Sequence, residues 1–226
     1  MTNTKDATAD YLIPALSRSG VPSVRLDTDT LVSRIEFAYG LGSPAIRFDG
    51  RWHEPDDFRH VWYRRPERLR HGNSDESPEG HCILDEWSEA LEGFFAHIPV
   101  SRWMNHPSRN AAASRKLEQL TVARSMGLEV PATLVTQSAS ELRQFYVEHA
   151  GKVIVKPMAS GYVARLGNEQ DSLIYTSRVL EVHLRELGDL AACPTLFQEY
   201  VDKLYDVRIT VVDRDLHAVE LIAEED

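Results

Sequence analysis

Proline and glycine limit what this chain can fold into, because they stop its β-rich runs while those runs are still short. "AIRFDGRWH" (45–53) reads as strand, turn, strand, with Asp49-Gly50 tolerating the positive φ of a two-residue hairpin. "RHVWYRR" (59–65) is a strand stopped at Pro66, and "KVIVKP" (152–157) is another ended by its own proline. "VPSVRLD" (21–27) is extended by β-branched alternation. Helical periods lie between these runs. A helix over 8–19 is closed by Gly20 and carries Pro14 inside it. Ile83, Trp87, Leu91, Phe94, Phe95 and Ile98 recur at three- and four-residue steps on a second helix. "VSRWMNHPS" is read as the strand that leaves this first region.

Beyond Asn105, Ala113, Leu117, Leu120, Ala123 and Met126 define one helix face, and Gly127 is its stop. "LEVPATLVT" is extended, and Ser138 with Glu141 forms a capping box that opens a helix to about His149. Residues 162–176 read as a hairpin around Gly167-Asn168, followed by a short helix over 179–189. "TLFQEYV" and "YDVRITVVD" are two further strands. The alternation of helix and strand predicts an α/β (α+β) chain built on open sheets. The polar stretch over 70–80 has no periodicity and reads as a loop.

Composition narrows the function. With 25 Lys+Arg against 35 Asp+Glu, the net charge of −10 disfavours general nucleic-acid binding. The two cysteines, Cys82 and Cys193, form no CxxC pair, which fits a reducing, cytoplasmic setting. Cys82, beside Ile83 on a helix, is read as a small buried residue. No apolar run is long enough for a membrane span. His53, His60, His71 and His106 have no metal-ligand spacing, and no metal ligand is assigned.

Four pieces then stand in order: a helix carrying Lys116, "KVIVKP" with Lys156, "FQEYV" (197–201), and "YDVRITVV" with Asp206 and Arg208. This succession resembles the ATP-grasp ligases, and among them the maturases of ribosomally made peptides, the graspetide or microviridin-type macrocyclases. "DATADYLIPALSRSGVPSVRLDTD" and "VWYRRP" resemble the pre-ATP-grasp domain of the same group. The resemblance implies a pre-ATP-grasp open α/β domain over 1–104, followed by a partial ATP-grasp fold. In that fold 105–195 supply the central or small lobe and 196–226 begin the C-terminal lobe. It also implies ATP as cosubstrate, a precursor peptide with its leader as partner, and a homodimer.

By the same resemblance, Lys116 and Lys156 are the phosphate-facing lysines. Gln198, Glu199, Tyr200 and Val201 form the hinge that reads the adenine edge. Asp206 takes the ribose hydroxyls, and Arg208 faces the transferred phosphoryl group, where a planar cation follows developing charge. Arg64 and Arg65 stand at the rim of a strand where family members place substrate-facing loops; arginines neutralising nearby carboxylates are the plainer alternative. The family's Mg²⁺ ligands, an Asp and a Glu-x-Asn pair, fall downstream of the Arg208 strand. The resemblance therefore places them, and a first buried strand ahead of Met1, outside this chain. Three functions stay open: an ATP-dependent peptide ligase making ω-ester or ω-amide crosslinks, an inactive paralogue that keeps peptide or nucleotide binding, and a ligase of a small amino-acid substrate.

Overall fold

The computed structural model describes residues 1–40, 42–71, 77–163 and 172–222. The chain divides into two compact units, Met1–Ser114 and Arg115–Asp226.

The first unit opens with α1 (Ala7–Arg18). The carboxylate of Asp6 caps it by accepting from the amides of Thr8 and Ala9 at 3.1 and 3.4 Å. β1 (Glu36–Gly40), β2 (Ser43–Phe48) and β3 (Arg51–His53) form an antiparallel meander. Asp49 and Gly50 both adopt positive φ, 49° and 78°, so the expected hairpin is the one that forms. β1 has no alternating pattern to announce it, and the sequence did not predict it. β4 (Val61–Trp62) runs parallel to β5 (Trp103–Met104), with α2 (Pro78–Ala96) between them and α3 (Pro107–Ala113) following. Alternate residues of β2 turn inward, so Ile46 and Phe48 meet Leu91 and Phe94 of α2 in one apolar core with Val61 and Trp103. The Trp103 indole N–H donates to the Ile98 carbonyl at 3.2 Å, which satisfies the buried ring's one donor.

The run over 21–27 is not a full strand. Only Thr2 lies alongside it, giving a single parallel bridge to Asp27, so alternation there has one partner instead of a ladder. On its other side the Met1 ammonium donates to the Trp62 carbonyl at 2.8 Å and the Arg64 amide donates to the Met1 carbonyl at 3.0 Å. Residues 1–2 are thus hydrogen-bonded both to the 26–28 segment and to the β4 segment.

In the second unit the elements are α4 (Lys116–Ser125), β6 (Thr133–Thr136), α5 (Ala139–Glu148), β7 (Val153–Lys156), β8 (Tyr162–Val163), β9 (Ser172–Leu173), β10 (Ser177–Arg178), β11 (Thr195–Glu199), β12 (Asp206–Val212) and β13 (Asp215–Leu221). A four-stranded antiparallel sheet in the order β10-β7-β11-β6 is its centre. Leu142 and Phe145 of α5 pack on Val153 and Phe197 of that sheet, with Val179. The single helix expected around 113–126 is two, because the chain leaves helical geometry at Arg115, which is extended. No residue of α4 is buried, so its apolar face guides no packing inside the unit. At α5 the Ser138 hydroxyl accepts from the Glu141 amide at 3.4 Å, but the Glu141 carboxylate accepts from the Thr136 hydroxyl instead of returning to Ser138. The short helix at 179–189 is two 3₁₀ turns, Glu181–Arg185 and Gly188–Ala192. β8 pairs with β9 as expected, while the Gly167-Asn168 turn and the acidic 224–226 tail lie outside the described residues. Cys82 is exposed, contrary to its expected burial, because it falls on the outward side of α2.

Candidate functional site

β7 stops at Lys156 because Pro157 follows, and the half-buried lysine is left at the strand end. Lys116, the first residue of α4, donates from its ammonium to the carbonyls of Met158 and Ala159 at 2.7 and 3.1 Å. The start of α4 is thereby tied to the loop that leaves β7. Burial, reinforced by the positive charge of Lys116, holds the Lys156 ammonium below the ordinary lysine range. Among the described residues neither lysine forms an ion pair with a carboxylate. Among the described residues these two neighbouring cations therefore have no countercharge.

β11 lies between β7 and β6 and ends at the expected hinge. The Gln198 side chain is buried and donates to the Thr133 hydroxyl at 2.9 Å. The Glu199 amide donates to the Ala132 carbonyl at 2.9 Å, and the Tyr200 amide to the Lys152 carbonyl at 2.8 Å. Those two N–H groups are engaged within the protein, which leaves the Val201 amide as the hinge donor without a partner among the described residues. The Arg178 guanidinium lies 3.8 Å from the centre of the Tyr200 ring, and Lys152 pairs with Asp202 at 2.7 Å. Arg178 was not among the expected residues. It sits on β10, whose two residues carry no pattern, so only the β10–β7 pairing brings it to the hinge.

Asp206 and Arg208 stand two apart on β12 and share a face. Asp206 pairs with Lys203 at 2.6 Å, not with Arg208. Arg208 is exposed, opposite Val219, and makes no hydrogen bond or ion pair among the described residues. In the first unit, Val61 turns into the core while the Arg64 guanidinium lies 5.9 Å from the Trp62 ring centre and donates to the Thr8 hydroxyl at 3.3 Å. The Arg65 carbonyl accepts from the Asn3 side chain at 2.7 Å, and its own side chain is exposed. The structure thus joins Lys116, Lys156 and the loop after β7, fixes the hinge on β11, and keeps Asp206 and Arg208 on a separate hairpin. Among the described residues no group of three or more His, Cys, Asp or Glu side chains could hold a metal ion.

No family model and no curated protein matches the chain. Solved structures do. The macrocyclase MdnC bound with precursor peptide MdnA, from Microcystis aeruginosa MRC, superposes with a TM-score of 0.87 at 24% identity, over 98% of this chain and 74% of that one. A Chryseobacterium gregarium RiPP-associated ATP-grasp ligase, in complex with ADP and a leader and core peptide, gives 0.84 at 27% identity, over 100% and 68%. The macrocyclase MdnB from Microcystis aeruginosa MRC gives 0.79 at 26% identity, over 99% and 74%. The chain has the fold of the RiPP-associated ATP-grasp ligases. That ATP-grasp likeness covers both compact units, since each superposition takes in nearly the whole chain.

Proposed function

We propose that the chain is an ATP-dependent carboxylate ligase that phosphorylates Asp or Glu side chains of a ribosomal precursor peptide and closes ω-ester or ω-amide rings through an acyl phosphate. The observation that carries this reading is the pair Lys116–Lys156: two neighbouring ammonium groups, one with its pKa depressed by burial and by the other, and neither answered by a carboxylate among the described residues. A polyphosphate supplies the missing charge, and binding it relieves the strain that the pair carries alone. The Chryseobacterium ligase and MdnC, solved with leader-bearing or precursor peptides, support a peptide as the second substrate.

The residues present fit a nucleotide. Lys116 and Lys156 hold its phosphates, the Val201 amide and the carbonyls of the Gln198–Val201 hinge meet the adenine edge, and Asp206 takes the ribose. A peptide carboxylate oxygen attacks the terminal phosphorus and ADP leaves. A Thr, Ser or Lys side chain then attacks the acyl carbon, loses its proton, and inorganic phosphate departs. Arg208, from the exposed strand, follows the charge on the transferred group. This chain's contribution is to position and to neutralise; no covalent protein intermediate is invoked. The described residues offer no ligand set for magnesium, so no step is assigned to it. Residues 1–104 serve the peptide, with Arg64 and Arg65 at the rim, Lys116 and Lys156 within 105–195 hold the phosphates, and 196–226 begin the C-terminal lobe. A cytoplasmic setting belongs to the same reading, supported by two free, exposed cysteines and by the need for ATP. Among the described residues no helix is long and apolar enough to cross a membrane.

The test is incubation with ATP and Asp/Glu- and Thr-rich peptides carrying a leader, read by ADP release and by loss of one water per ring in the peptide mass. Peptide binding without ADP release would sink the ligase reading.

A further inference from the structure

The first unit holds a cavity of about 270 Å³ lined by Trp103, Asn105, His106, Arg109 and Asn110, with Val100 and Ala113 at its walls. It sits where β5 ends. β4 and β5 are parallel, Trp103 and Met104 form β5, and Asn105 and His106 are the residues that leave its carboxyl end. In open α/β sheets this end is where ligands are bound, because loops diverge there and leave a crevice. The volume falls below the roughly 300–1,000 Å³ of a drug-sized ligand site, so it suits a single side chain better than a nucleotide.

Its lining has one chemical character. Arg109 presents a guanidinium with no hydrogen bond or ion pair among the described residues. The His106 Nδ1 lies 2.9 Å from the Ser108 hydroxyl, and its ring meets Trp103 edge-on at 5.4 Å, which fixes the imidazole's orientation. In the tautomer whose Nδ1 accepts from that hydroxyl, Nε2 bears the hydrogen and is a donor. The Asn105 and Asn110 amides add further donors, and no Asp or Glu lines the cavity. In a chain of net charge −10, a pocket with an unpaired arginine and no acid is selective for an anion. The rest of the wall is apolar: the buried Trp103 ring, its N–H already bonded to Ile98, with Val100 and Ala113. Phosphate has no apolar part to set against such a wall, whereas a carboxylate on a methylene stem does.

We propose that this cavity is a carboxylate-binding subsite for an acidic side chain of a peptide, with Arg109 as its charge partner, His106 and the two asparagines as donors, and the Trp103 wall for the stem. The assignment rests on the peptide-ligase reading above and adds a second anchor, in the first unit, for a peptide rich in Asp or Glu. Tyr63, inside "VWYRRP", lies edge-on to Trp103 at 6.4 Å, so that run passes beside the ring that walls the crevice.

The experiment titrates the full chain calorimetrically with octaglutamate, with octaglutamine and inorganic phosphate as the other probes, for the native protein and Arg109→Gln. Arg109 is exposed, so the substitution does not threaten folding. Octaglutamate is expected to bind the native protein, octaglutamine not to bind, phosphate not to compete, and Arg109→Gln to weaken octaglutamate about tenfold or more, as loss of a charged hydrogen bond does. Unchanged affinity in Arg109→Gln, no octaglutamate binding by the native protein, or phosphate competing as well as octaglutamate would each overturn the subsite. An ADP titration of the native protein separates the two proposals. Absence of ADP binding counts against the ligase, whereas the octaglutamate titrations decide the subsite.

Discussion

Lys156 sits where a strand end, a buried flank and a second ammonium meet, and its behaviour follows from those three facts. Its pKa is lowered from the ordinary 10.5 by burial first and by Lys116 second. The folded state therefore disfavours the charged form. Stability is diminished while the group is charged in both states, and it rises with pH through the lowered pKa toward 10.5. A bound phosphate reverses the shift by favouring the charged form. In that alkaline window ADP binding should take up a proton, seen as a binding enthalpy that changes with the buffer's ionisation enthalpy. Lys156→Met keeps the length of the side chain and removes the charge. It should lower ADP affinity about 10- to 100-fold and abolish the buffer dependence. If the buffer dependence persists in Lys156→Met, another group is taking up the proton. Lys156 was legible in the sequence because Pro157 marks a strand end. The Arg178 stack on Tyr200 was not, since it depends on pairing between β10 and β7.

Among the elements, the loop after β7 is held by one glycine. Gly161 has a φ of +74°, and a Cβ there would lie 2.6 Å from the Ile174 carbonyl oxygen and 2.9 Å from Pro157 Cγ. Neither neighbour is the free end of a flexible side chain. Gly161→Ala must therefore move the loop, at a cost of about 1–2 kcal/mol for the left-handed conformation alone. The same loop presents the Met158 and Ala159 carbonyls to Lys116. The expected result is weaker ADP binding together with faster exchange of the Ile174 amide, which donates to the Gly161 carbonyl at 2.8 Å. The β12–β13 hairpin differs in kind: its two strands pair over seven positions, yet every residue is exposed. A two-stranded ribbon without a packed face is marginal. Its amides should exchange well before those of β7 and β11, and equal protection would show that a face is covered in solution. Local signals account for the elements that were legible. Asp49-Gly50 fixed one hairpin, and Ser138 opened α5. The failures came where a pattern lacked a partner: the 21–27 alternation meets only Thr2, and the apolar face around Leu117 and Met126 stays exposed.

For the whole molecule, each compact unit has its own buried cluster, and the candidate nucleotide residues all belong to the second. The order of Lys116, Lys156, the hinge and Arg208 was readable along the chain, but which core supports them was not, because core membership depends on contacts far apart in sequence. That division makes a prediction with two arms. Phe94 is fully buried and meets Phe58 and Phe95 edge-on at 6.0 and 5.6 Å, so Phe94→Ala should cost about 3–5 kcal/mol. Leu142 is equally enclosed in the second cluster, against the sheet that carries Lys156, and Leu142→Ala should cost about 2–5 kcal/mol. If the nucleotide is held by the second unit alone, Phe94→Ala keeps its ADP affinity at temperatures where it remains folded, while Leu142→Ala loses affinity along with stability. Thermal unfolding with and without ADP checks both arms, since a ligand raises the midpoint only of the unit whose folded state it binds. An equal loss of ADP affinity in both variants would mean that the first core helps to hold the nucleotide site in shape, and the role given to the second unit alone would then be wrong.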